Sequence, residues 1–237
     1  MDMSEKLTAI GENTPAVYEY GQKAEYDRFW DKFQQNGNRT DYYFAFAGSG
    51  WSGKILNPKY KIELPASHTS GVCMFYRCAW TLDLEGEIID FGKISHMFDF
   101  SKILSARDLF NSAMMDNIVA DLSCAENFTS AFGTSWGTKG LKSISIKVSE
   151  KAKLHDAFGS THENLTFIEG SVIGEDISLA SAKFLSRESF INIINTLSPT
   201  ASGKTATFNK YAKDSSFTDD EWEALISKKA NWTITVA

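Results

Sequence analysis

A phenylalanine preceded by a small or apolar residue recurs along the middle of this chain, and that recurrence constrains the fold more than any other feature. "MFYRCAWTLDLEG" begins at Met74, "MFDFSKILSARDL" at Met97, "LFNSAMMDNIVADLS" at Leu109, "AFGTSWGTKGLKSISI" at Ala131 and "AFGSTHENLTFIEG" at Ala157. Each segment runs from its phenylalanine through a few small or polar residues into a strand of Leu, Ile and Val. Phe75 to Phe98 is 23 residues, Phe110 to Phe132 is 22 and Phe132 to Phe158 is 26, while Phe98 to Phe110 breaks the rhythm. One such unit cannot bury its phenylalanine alone. Stacked neighbours bring the rings into a column and the strands into a parallel sheet.

Steps of this size fall in the window of about 20–29 residues found in leucine-rich repeats. The expected fold class is therefore an α/β repeat, or solenoid: a short, irregular leucine-rich-repeat slab with parallel strands, an N-terminal helical arm and a C-terminal helix/strand cap. The expected divisions are an arm over 1–40, cap strands over 41–70, the repeat-like region over 71–170 and the C-terminal cap over 171–237. The competing reading is a compact α/β domain whose aromatic positions coincide by accident, and the gap between Phe98 and Phe110 favours it.

The first forty residues differ from the rest. Thr14 and Pro15 suit a helix start, and "AVYEYGQKAEYDRFWDKFQQ" is apolar on more than one face before Asn36-Gly37 stops it. Leu7, Ile10, Thr14, Val17, Gly21 and Ala24 alternate by three and four, the spacing of a coiled-coil seam, interrupted by Pro15. This makes the arm a candidate for self-association. The stretch after it, "YYFAFAGSGWSGKILNPKYKIELP", reads as two strands joined by a loop carrying Trp51.

Near the C-terminus "SPTASGKT" comes one residue short of a phosphate-binding loop, with Ser198 where the first glycine belongs. Such a loop must leave a strand and enter a helix. Here "SRESFINIINTL" carries Phe190, Ile191, Ile194 and Leu197 at helical spacing behind Ser186 or Ser189 as N-cap, and "TATFNKYA" alternates like a strand. The order is helix, turn, strand, so Pro199 and Gly203 mark a turn. In "TDDEWEAL" Thr218 and Glu221 spell a capping box, with Trp222 and Leu225 facing inward and "NWTITV" closing the fold as a strand.

Twenty-four basic residues against 30 acidic ones give a net charge of −6 without a basic run, which disfavours nucleic acid or an anionic membrane as partner. No basic flank precedes an apolar run at the N-terminus, and about 18 consecutive apolar residues occur nowhere. The expectation is a chain made without secretory signal or membrane insertion. Cys73, Cys78 and Cys124 are too few and wrongly spaced for a disulfide framework and read as small core residues.

No pattern assigns catalysis, a cofactor or a metal. His68, His96, His155 and His162 lack ligand spacing and read as solvated or capping side chains. "AGSGWSG" lacks the spacing of a nucleophile elbow. Asp83/Glu85 and Asp219/Asp220 are ordinary in an acidic chain, and the sequons at Asn38, Asn127, Asn164 and Asn231 read as chance. The binding candidates are Tyr42, Tyr43, Trp51 and Trp136, aromatics beside Gly/Ser-rich stretches; the competing reading has them filling caps and gaps.

"MFYRCAWTL", "AFGTSWGTKGLKSI" and "AFGSTHENLTFI" resemble the BspA-type leucine-rich-repeat family, with the repeat cysteine kept at Cys78 and replaced elsewhere by Ser, Thr or Ala. The tail from "LTFIEGSVIGEDISL" to "NWTITV" is similar to the C-terminal cap of repeat proteins of anaerobic gut bacteria and their phages, and "ENTPAVYEYGQKAEYDRFWDKFQQNGNRTDYYFAFAGSGW" to the arm such phage proteins carry. The resemblance implies a non-enzymatic binding or structural module: a virion-associated tail or fibre protein, or a bacterial surface-directed one, contacting a protein or glycan on a host cell. It implies homo-oligomers through Leu7, Ile10, Val17, Gly21 and Ala24, and a place on the virion or outside the cell without a signal peptide, otherwise in the cytoplasm. The alternatives are a surface-polymer hydrolase on a similar scaffold and an intracellular interaction scaffold.

Overall fold

The computed structural model describes residues 50–51, 70–72, 74–75, 79–80, 100–113, 117–133, 143–160 and 162–237. Strand β1 (Gly50–Trp51) pairs with β2 (Ala79–Trp80). A second sheet has the order β3 (Ile118–Asp121), β4 (Ser143–Lys147), β5 (Asn164–Phe167), and a third the order β6 (Ile177–Leu179), β7 (Lys204–Phe208), β8 (Trp232–Val236). Every strand pairing among the described residues is parallel. Helices α1 (Arg187–Thr196), α2 (Lys210–Ser216) and α3 (Asp219–Ile226) belong to the C-terminal part. The architecture is α/β, made of small parallel sheets and few helices.

Alternation explains the strands. In β4 the pattern Ser-Ile-Ser-Ile-Lys turns Ile144 and Ile146 inward, both essentially inaccessible, and leaves Ser145 and Lys147 half-exposed. Register aligns these side chains across the sheet: Ile144 lies between Ile118 and Leu165, and Ile146 between Ala120 and Phe167. A one-residue slip would turn all of them to water.

The phenylalanine column runs beside this sheet. Phe75 stacks on Phe110 with ring centroids 5.1 Å apart, Phe110 on Phe132 at 6.0 Å and Phe132 on Phe158 at 5.6 Å, with interplanar angles of 8°, 14° and 9°. Backbone bonds keep pace with the rings. The N–H of Phe75 donates to Leu109, that of Phe110 to Ala131 and that of Phe132 to Ala157, at 2.9, 2.8 and 2.8 Å. Each acceptor is the buried residue just before the next phenylalanine, so a small or apolar side chain is required there. Parallel bridges through Ser70, Ser105, Asn127 and Lys153 advance by the same steps as the four rings. Asp108 and Ser130, each two residues before a column phenylalanine, share a left-handed backbone with φ of 53°, a conformation that few non-glycine residues adopt.

Two expectations need correcting here. Phe75 meets Phe110 directly, so the step from Phe75 to Phe98 is not a step of the column, and Phe98 lies outside the described residues. The broken rhythm between Phe98 and Phe110 comes from counting the wrong ring. Phe100 is buried instead, edge-on to both Phe75 and Phe110 at 6.1 and 6.0 Å. Along "TATFNKYA" the strand stops at Phe208, because the Asn209 side chain accepts the Ala212 N–H and starts α2.

The far edge of β5 is closed by side chains. From α1, Asn192 accepts the Phe167 N–H at 2.6 Å and returns its own amide to the Phe167 carbonyl at 3.2 Å, while the Ser189 hydroxyl accepts the Leu165 N–H at 2.8 Å. Two helical side chains three positions apart thus replace the missing neighbouring strand. Ser186 caps α1 as its sequence predicts. Ile191, read with the apolar stripe, faces water at 36% exposure, and Ile193 takes the inward place beside Phe190 and Ile194.

Truncating Phe132, which has a ring on either side, removes two stacked contacts and opens a void. We expect Phe132→Ala to lose about 3–5 kcal/mol of stability by urea unfolding, and Phe132→Leu to lose clearly less. Equal losses would mean that ring stacking contributes nothing beyond filling space.

Candidate functional site

The sequence candidates separate sharply. Trp51 lies in strand β1, in register with Trp80 of β2, and not in a loop; the parallel pairing of Gly50 with Ala79 accounts for the difference. Tyr42, Tyr43 and Trp136 lie outside the described residues, as do Leu7, Ile10, Thr14, Val17, Gly21 and Ala24 of the arm.

Two aromatics that the sequence reading did not single out stand in solvent instead. Phe184 is 62% exposed and Tyr211 67%, and both line one groove of about 720 Å³. Among the residues whose side chains are described, the other phenylalanines are buried or half-buried, and Trp222 and Trp232 are buried.

One wall of the groove follows β6. Ala182 and Leu185 are buried, with the Ala182 N–H held by the Leu179 carbonyl, so Lys183 and Phe184 between them are turned outward. The other wall is α2, where Ala212 and Lys213 face in and Lys210, Tyr211 and Asp214 line the groove. Asn209 ties the walls together: its Oδ1 accepts from Ala212 of α2, and its Nδ2 donates to the Ala180 carbonyl at 2.6 Å. Ala237 also lines the groove, with the Lys210 N–H donating to its carbonyl and its own N–H to Phe208.

Charge is unevenly distributed here. Lys210 pairs with Asp214 at 2.7 Å, and Lys213 reaches the same carboxylate at 3.1 Å and also binds Asp219. Hydrogen bonds from Lys210 and then Lys213 hold the Asp214 carboxyl below the usual carboxylate range. The bond to Asp219 is foremost in pushing the buried Lys213 ammonium up. Lys183 makes no ion pair among the described residues.

Beneath the groove lies an aromatic cluster. Phe190 meets Phe208 at 5.0 Å, Phe217 at 5.5 Å and Trp222 at 5.8 Å. The Arg187 guanidinium sits 4.2 Å from the Phe217 ring centre and bonds Glu221 at 2.9 Å. The capping box read from Thr218 and Glu221 is present, and Trp222 and Leu225 face inward as expected.

The "SPTASGKT" turn is held by bonds within the fold. The Thr200 and Ala201 N–H groups donate to the Ser198 hydroxyl, and the Thr205 N–H donates to Asp176 at 2.7 Å. Lys204 pairs with Glu175 at 2.6 Å. Asn231 and Trp232 both donate to the Ser198 carbonyl, and Gly203 takes a φ of 68°. Its place between α1 and β7 gives the helix, turn, strand order, the reverse of a phosphate loop, and its lysine is already held by Glu175.

Other sequence readings resolve piecemeal. Cys124 is exposed rather than a core residue, because Asp121 accepts from Ser123 to turn the chain, leaving Leu122 and Ala125 as the inward pair. Cys73 and Cys78 lie outside the described residues, with His68, His96, Asp83, Glu85 and Asn38. His155 is solvated; His162 is buried, and its Nε2 accepts the Gly159 N–H, a capping role. The three described sequon asparagines, Asn127, Asn164 and Asn231, are engaged in hydrogen bonds within the fold. Among the described residues no three His, Cys, Asp or Glu side chains gather as a metal ion would need, and no helix is long and apolar enough to cross a membrane.

No protein-family model matches this chain, and neither a curated protein nor a solved structure shows significant similarity to it.

Acid should loosen the C-terminal part through Glu221. The Thr218 N–H, Arg187 and the Thr218 hydroxyl lower its carboxyl from 4.5 to about 2. A depressed folded value contributes stability that is present above 4.5 and is lost as pH falls through about 2. We expect the melting temperature to fall across that interval and Glu221→Gln to make the fall shallower, the remainder coming from groups such as Asp214. An identical slope in the variant would show the capping box to be energetically silent.

Proposed function

We propose that this chain is a non-enzymatic binding module. In this reading it is a short BspA-type leucine-rich-repeat solenoid whose arm oligomerises and whose folded body contacts a host-surface ligand. It is carried as a tail or fibre component of a phage or prophage virion, or directed to a bacterial surface. The observation that supports this most is the phenylalanine column, in which successive turns of chain bury one ring each at one backbone hydrogen bond per step. Stacked-repeat scaffolds are built in this way, each unit completing its core only against its neighbours, and they act by offering a rigid surface. The closed β5 edge fits the same reading, since a terminal cap is what such a stack requires. The resemblance of the arm and tail to phage-type repeat proteins supplies the virion context.

Two measurements on the intact chain test the two halves of the proposal. Light scattering at several concentrations should give a stable trimer or larger, dissociated by Leu7→Asp with Val17→Asp. A monomer at all concentrations removes the assembly role of the arm. Incubated with whole cells of anaerobic gut bacteria, the chain should be retained saturably and release no new reducing ends or peptides. Product release in proportion to added protein would overturn the binding reading in favour of a hydrolase.

A further inference from the structure

Phe184 and Tyr211 give the proposed binding module a location and a ligand class. Among the described residues burying aromatic rings is the rule: the column, Phe128, Phe190, Phe208, Phe217 and Trp222 are all inside or nearly so. Two rings left more than 60% exposed on facing walls of one groove depart from that rule together. Each is carried on fixed backbone, between buried Ala182 and Leu185 in the first case and between buried Asn209 and Ala212 in the second.

The chemistry of the walls selects among ligands. An apolar peptide anchor needs a pocket that strips it of water on all sides. This groove is open and carries Lys183, Lys210 and Asp214 beside its rings, so it would leave such an anchor wet. A sugar ring fits better. Its C–H face needs one flat apolar surface, while its rim of hydroxyls needs donors and acceptors close by, here the Tyr211 hydroxyl, the Lys210 ammonium and the Asp214 carboxylate. The volume of about 720 Å³ lies within the range of roughly 300–1,000 Å³ usual for small-ligand sites. Charge narrows the class further. Asp214 is already neutralised by Lys210 and Lys213, whereas Lys183 beside Phe184 has no ion partner among the described residues.

We propose that the groove between the β6–α1 turn and α2 binds an anionic saccharide, a pyranose ring bearing a carboxylate or phosphate. Phe184 and Tyr211 contact its ring faces and Lys183 its charge. This rests on the binding-module reading and names the ligand class and site within it.

The test presents the intact chain to an array of neutral, uronic-acid, sialylated and phosphorylated saccharides, beside Phe184→Ala, Tyr211→Ala and Lys183→Glu, with a thermal melt of each. Since all three side chains are exposed, the melts should coincide. The expected result is retention on carboxylated or phosphorylated sugars over neutral ones. Each alanine variant should bind at least about tenfold more weakly, and Lys183→Glu should lose the preference for charge. Carboxylated and phosphorylated spots distinguish the two sources of the anion. Retention on no anionic saccharide overturns the inference, as does retention unchanged in the three variants. If the array is silent but whole cells still hold the chain through a protease-sensitive component, the ligand is a protein and only the saccharide inference falls. If neither holds it, the binding-module reading falls as well.

Discussion

Everything else in the structure depends on one backbone hydrogen bond made three times, from a phenylalanine N–H to the carbonyl just before the next phenylalanine. Strand-to-strand pairing fixes backbone separation near 4.8 Å. Phenyl rings prefer centroid separations of about 4.5–7 Å. The two spacings agree, so a ring on each turn can meet its neighbour without bending the chain, and the observed 5.1–6.0 Å follows. The same bond explains why Leu109, Ala131 and Ala157 stand before Phe110, Phe132 and Phe158: each is buried inside the turn that accepts the bond. Chain between bonded positions can vary in length freely, because added residues leave as loops. Irregular sequence steps and a regular interior are therefore compatible.

A parallel stack has ends, and its ends expose unpaired backbone groups. On β5 the answer is Asn192, whose amide carries one donor and one acceptor in the geometry of a peptide group and therefore bonds Phe167 in both directions. Ser189 does half as much for Leu165. A helix can close a strand edge in this way only when its polar side chains fall three or four apart, and in "SFIN" they do. Close approach matters too. A Cβ on Gly174 would stand 2.6 Å from the Glu150 carbonyl oxygen, so glycine is what lets that N–H reach Glu150 at 3.2 Å.

Features written within a few residues of each other were legible in the sequence. Ser186 before α1, Thr218 with Glu221, the alternation of β4 and β7, and the turn at Gly203 all act over short distances, and their patterns stand in the letters. Partnerships across the chain were not. That Phe75 meets Phe110 is a pairing across 35 residues of chain, and periodicity alone picks the nearer ring. Residue type puts Cys124 inside and helical spacing puts Ile191 there, whereas Ala125 and Ile193 hold those places, because the local turn of the backbone decides which of two nearby side chains faces in. Phe184 and Tyr211 escaped notice for a related reason. They lie 27 residues apart in the sequence, without glycine beside them to mark a loop, and the pairing of β6 with β7 and the bond from Asn209 to Ala180 bring their elements into one groove.

That bond also bears on how the groove can act. Its walls come from a turn and a short helix, neither of which holds a shape alone. Asn209 fixes both at once while capping the helix, and the Phe190, Phe208 and Trp222 cluster fixes the layer below. The backbone that carries the exposed rings is thus held before any ligand arrives, and contact requires no ordering of loops. If the chain is the binding module proposed above, such preorganisation decides whether each contact retains enough free energy to matter. Several copies held on one assembly would then multiply weak grooves into firm attachment.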